Sequence, residues 1–189
     1  MNTEKHLLNR GFLRAVFIII VCFSISGCYS IKQYVASAEN YDKVTTFKSR
    51  SLAVEKFESY EPGKKSVICR ASAGVQTPND VSFESYIEQA FIDELRLAGA
   101  YDPKSTIVVH GRLENIESSS GPIIKGIWSM RLAISSNSNP GFTVDSTYEF
   151  PVDWVFWEAC DQVAKAFVHA VRQLINQVVT HPQFGQLAP

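Results

Sequence analysis

STIVVHGRLENIE, residues 105–117, alternates with a period of two. Ile107, Val109, Gly111 and Leu113 face one way; Val108, His110, Arg112 and Glu114 face the other. A strand with this alternation packs one face and wets the other. The pattern recurs twice downstream. In 123–136, Ile124, Gly126, Trp128, Met130, Leu132 and Ile134 point inward, while Lys125, Ser129 and Arg131 point outward. In 142–150, Phe142, Val144, Tyr148 and Phe150 point inward, and Thr143, Asp145, Thr147 and Glu149 outward. The polar turns SSSGP (118–122) and NSNPG (137–141) separate the three runs. Long alternating strands joined by short turns predict an antiparallel meander.

Amphipathic helices flank the meander. Ser82 is placed as an N-cap. Phe83, Ile87, Phe91 and Leu95 then recur every four residues, joined by Ala90 and Ala98, up to Gly99. Glu84, Glu88, Asp93, Glu94 and Arg96 are expected to face water. A longer stripe, Cys160, Val163, Ala164, Phe167, Val171, Leu174, Ile175 and Val178, runs to Pro182, with Phe184 and Leu187 expected to tuck back. Upstream, Leu52, Val54 and Phe57 suggest an edge strand. SVICRA (66–71) suggests another, connected through the first helix to 105–117 by a crossover if the two strands are parallel neighbours. The order predicts an α+β two-layer sandwich: a mixed, mainly antiparallel sheet with two amphipathic helices on one face.

The N-terminus reads differently. Lys5, Arg10 and Arg14 precede AVFIIIVCFSI (15–25), too short to span a bilayer but suited to a secretory leader. FSISGC (23–28) resembles the bacterial lipobox, with Ile25 where the pattern prefers Leu. The resemblance implies that residues 1–27 are removed. Cys28 then carries a thioether-linked diacylglycerol and an N-acyl chain such as palmitate. Tyr29, not Asp, follows Cys28, which resembles an outer-membrane address. The expected organisation is a signal peptide (1–27), a lipidated tether (28–50) and a periplasmic domain (51–189). In that oxidising compartment Cys69 and Cys160 are expected to pair; the alternative is two separate buried thiols.

The whole chain carries 18 basic and 19 acidic side chains. That balance gives no basic stripe for nucleic acid. No nucleophile elbow, Walker loop, dinucleotide fingerprint or zincin motif occurs. His110, His169 and His181 do not sit at ligand spacing to one another or to cysteine. No enzyme, cofactor or metal site is therefore expected. Two features carry functional readings. One is the outward face of the meander, with His110, Arg112, Lys125, Arg131, Asp145 and Glu149, read either as a solvated face or as a partner-binding surface. The other is the aromatic run Tyr148, Phe150, Trp154, Phe156 and Trp157, read either as core filling or as an exposed anchor for a partner.

CRA (69–71), TP (77–78), SFESYIEQAF (82–91), DELRLAGAYD (93–102) and ACDQVAKAFVHAV (159–171) resemble a family of uncharacterised proteobacterial lipoproteins. The element order is also similar to YajG-type lipoproteins and the TolB amino-terminal-like domain. These resemblances imply a scaffold or partner-binding module held at the membrane through Cys28, its partner an unknown envelope protein. They supply no catalytic residues. The alternative is a small-ligand or lipid carrier, which needs an apolar cavity between helices and sheet.

Overall fold

The computed structural model describes residues 28–45, 51–70, 73–120 and 125–188. Residues 1–27, 46–50, 71–72, 121–124 and 189 lie outside the described residues, and with them the expected leader, the end of the SVICRA run and part of the expected SSSGP turn. In chain order the strands are β1 (Tyr29–Ser30), β2 (Ala53–Val54), β3 (Glu58–Ser59), β4 (Ser66–Ile68), β5 (Gly74–Gln76), β6 (Val108–Ser119), β7 (Lys125–Ser136) and β8 (Asn139–Pro151). The helices are α1 (Ala38–Val44), α2 (Phe83–Leu97) and α3 (Phe156–Thr180).

The chain is an α+β fold. β6, β7 and β8 form the expected antiparallel meander. Trp128, Met130, Leu132, Ile134, Val144 and Phe150 turn into the core. A register shift between Leu113 and Asn115 changes the phase of β6, so burial passes from Leu113 to Ile116. Such a bulge admits an extra residue on one strand. Gly141 follows the β7–β8 turn with φ +79°, and a Cβ there would strike the Ile134 carbonyl oxygen at 1.7 Å.

α2 begins where Ser82 Oγ accepts the Ser85 amide, and Gly99 beyond its end has φ +69°. The stripe of α3 is buried throughout, and Phe184 and Leu187 fold back beneath it in a short 3-10 turn. The layer between sheet and helices is filled by rings. The Phe167 centroid lies 4.7 Å from Trp128, 5.3 Å from Phe83 and 5.1 Å from Tyr86. Trp128 Nε1 donates to the Val163 carbonyl at 3.0 Å, so its one polar atom is satisfied inside the core.

Two expectations about the N-terminal half are corrected. β4 is not the parallel neighbour of β6. It pairs antiparallel with β5, whose other side pairs parallel with β1, in a separate three-stranded sheet. The parallel neighbours of β6 are β2 and β3, on one edge of the larger sheet. The crossover therefore starts from 53–59 and includes the β4–β5 hairpin and α2.

Residues 29–45 also do not form the expected tether. β1 is hydrogen-bonded into the small sheet, and α1 packs against both α2 and α3. Ile31 and Val44 are buried, and apolar burial of this kind holds a segment down.

Cys69 and Cys160 form a disulfide with Cα atoms 5.7 Å apart. It pins the β4–β5 turn to the first turns of α3. Its ends are 91 residues apart in sequence, and closing a loop of that order stabilises a fold by about 4.6 kcal/mol in the chain-entropy model.

Candidate functional site

The outward face of the meander carries all six of the expected side chains, and each has an oppositely charged partner, on a neighbouring segment except for Arg112, whose partner Glu114 is on its own strand. His110 Nδ1 lies 2.8 Å from Glu55 Oε2. Arg131 reaches Glu114 at 3.1 Å and Asp145 at 3.6 Å, and Arg112 approaches Glu114 at 3.8 Å. Lys125 Nζ meets Glu149 at 2.7 Å, and that hydrogen bond pushes the lysine pKa upward. The register explains these pairs, since Arg131 stands directly between Asn115 and Asp145. Exposed ion pairs contribute about 1 kcal/mol at most, so they do little to hold the strands together. An open groove of about 990 Å³ is lined in part by Glu55, His110, Arg112, Ala133, Phe142 and Thr143.

The aromatic run divides. Phe150 is buried, and Tyr148 is half-buried beside His169. Trp154, Phe156 and Trp157 are 80%, 39% and 62% exposed. Core filling therefore does not account for these three rings. They sit at the junction of β8 and α3, which is braced. Arg70 Nη1 donates to the Trp154 carbonyl at 2.9 Å, its Nη2 to Asp153 at 3.2 Å and its Nε to Ser120 at 3.1 Å. Asp153 receives the Val155 amide and donates its own amide to Gln162.

The two surfaces do not merge into one site. Lys125 lies opposite Pro151, at the aromatic end of the sheet, whereas His110 lies opposite Ser135 at the far end. Cys28 is an exposed free thiol at the start of β1.

Three helix carboxylates have roles that differ from the expected solvated ones. Glu94 is buried, and its Oε1 accepts from Tyr34 Oη at 2.5 Å, the Ser37 amide at 3.0 Å and Asn40 Nδ2 at 3.0 Å. Burial, and then Glu94, push the Tyr34 hydroxyl well above its ordinary pKa. Glu84, also buried, accepts the Gly63 amide at 2.8 Å, and Glu88 accepts the Phe57 amide at 2.9 Å. These groups tie loops to α2 and do not converge on an open cleft. His181 stacks on Phe142 at 3.9 Å. Among the described residues no three His, Cys, Asp or Glu side chains gather to hold a metal, and no helix is long and apolar enough to cross a membrane.

No family model matches the chain, and no curated protein matches it. Solved structures do. Protein XCC0632 from Xanthomonas campestris, of the DUF330 family model, aligns with a TM-score of 0.55 at 11% identity, covering 85% of this chain and 97% of that one. A second, described as an uncharacterized protein, aligns with a TM-score of 0.43 at 9% identity, covering 80% and 99%. The likeness to XCC0632 is one of fold alone. It agrees at that level with the expected resemblance to uncharacterised proteobacterial proteins.

Proposed function

We propose that the chain is a non-enzymatic lipoprotein of the cell envelope. Cys28 is its acylated first residue, and the α+β domain binds another envelope protein at the periplasmic face of the outer membrane. The Cys69–Cys160 disulfide carries this reading, because such bonds persist in oxidising compartments. The short apolar leader and the FSISGC pattern agree with it, as does the exposure of Cys28. The topological resemblance to YajG-type and TolB amino-terminal-like proteins adds an analogy.

The binding surface is the open face of the meander. Its alternating charges suit recognition by a complementary polar surface, since charge pattern governs specificity more than affinity. The carrier alternative is not favoured. The space it requires, between sheet and helices, is occupied by Trp128, Phe83, Phe167 and Tyr86.

A photo-crosslinking residue at position 131 tests the partner surface. One envelope protein should be captured in living cells, and Arg112→Glu should suppress its capture. Indiscriminate labelling, or capture indifferent to Arg112→Glu, would contradict the assignment.

A further inference from the structure

The expected tether would let the domain stand away from the membrane. Its packing against the fold removes that freedom. Tyr29 is already in register with Val75, and the next residue but one, Ile31, is buried. Cys28 therefore precedes the folded domain with no slack between them. Consecutive Cα atoms are about 3.8 Å apart, so acyl chains on Cys28 bring this end of the domain to the lipid surface.

That end is built from four segments. Cys28 lies beside Gly74, where a methyl group would meet its Sγ at 3.9 Å. Ile68, 69% exposed, is paired with Gly74 from the other side. The next residue, Cys69, is bonded to Cys160, and Phe156 and Trp157 lie one helical turn before Cys160. Arg70 then holds the carbonyls of Asp153 and Trp154. Three of the large apolar side chains most open to water thus lie within a few residues of this staple, on backbone already braced.

From this juxtaposition, and resting on the lipoprotein reading above, we infer that the end of the domain bearing Cys28 is a bilayer-docking surface. Trp154, Phe156, Trp157 and Ile68 insert at the level of the phospholipid headgroups. Tryptophan suits that depth, with an apolar ring body and an N–H that stays near water. A second contact beside the acyl chains fixes the orientation of the domain. Much of the charged sheet face, out to His110 at its far end, is then directed away from the lipid and open to a partner.

The test uses the full-length protein purified from membranes and reconstituted in phosphatidylethanolamine–phosphatidylglycerol vesicles with chains brominated near the headgroup. Intact mass gives the state of Cys28 in the same sample. Emission from Trp154 and Trp157 should fall about twofold relative to unbrominated vesicles, as expected for rings at the interface. In Trp154→Phe/Trp157→Phe only the buried Trp128 remains, and its emission should be unchanged. Acylated, vesicle-bound protein with unquenched tryptophans overturns the docking surface and leaves the anchor standing. So does equal quenching in the double variant, or crosslinking of position 154 to a protein in place of lipid. A Cys28 without acyl chains removes the anchor and the docking surface with it.

Discussion

One oxygen of Glu94 holds together the N-terminal segment, α2 and, through Asn40, the long helix. Asn40 Nδ2 also donates to the Arg172 carbonyl at 3.3 Å, and Asn176 donates to Asn40 Oδ1 at 2.9 Å. Removing the carboxylate strands buried donors, each costing about 1–3 kcal/mol. Glu94→Ala should therefore lose about 2–4 kcal/mol in urea unfolding and release residues 28–45 to protease. A variant within error of the native protein would contradict the hub. The Tyr34 and Tyr86 hydroxyls are both raised above their ordinary 10.0, chiefly by burial. Folding favours their protonated forms, so their contribution is complete below about pH 10 and is lost as pH rises beyond it. Thermal melts should fall from about pH 10 upward, less steeply in Tyr34→Phe/Tyr86→Phe; superimposable profiles would refute this. Much of this was hidden at the level of single residues, because a carboxylate among other polar residues reads as solvated. Yet Glu84 precedes Ile87 by three and Glu94 follows Phe91 by three, which places both on the apolar side of α2. That spacing was the available signal.

The long elements announce themselves, and the short ones do so only in part. β6, β7, β8, α2 and α3 each repeat their apolar period enough times to fix face and extent. Leu52, Val54 and Phe57 mark the edge where β2 and β3 lie and SVICRA marks β4, but β1 and β5, with two and three residues, have no period to read, and which strands each short one pairs with is not written locally. Parallel pairing across a long crossover is likewise set by the folded whole rather than by a local turn. The β6 bulge shifts a phase that sequence alternation alone extends unbroken. α1, with seven residues, is held by burial of Val44 and by Asn40 more than by helix propensity. The hydrophobic layer does rest on a legible residue. Phe167 touches Trp128, Phe83 and Tyr86, so Phe167→Ala should destabilise by about 3–5 kcal/mol. A loss below about 1 kcal/mol in chemical denaturation would show that α3 does not centre the core through this ring.

At the scale of the molecule, two surfaces follow from how the layers stack. Helices cover one side of the large sheet and leave the other to charged pairs. The disulfide gathers the hairpin turn, the start of α3 and its exposed rings near Cys28. The sequence reading reached both groups of side chains but not their arrangement, because that depends on β1 lying in the small sheet. On our reading the lipid-bearing end and much of the partner face are separated, so the domain is anchored at one end and free to bind at the other. All of this depends on the chemistry at Cys28. Intact mass spectrometry of the protein extracted from cell membranes tests it most directly. The account predicts a chain beginning at Cys28 with diacylglyceryl and N-acyl mass added, and an unprocessed, unacylated precursor in Cys28→Ala. A native protein of unmodified mass, or a Cys28→Ala protein processed and membrane-bound as before, would contradict it.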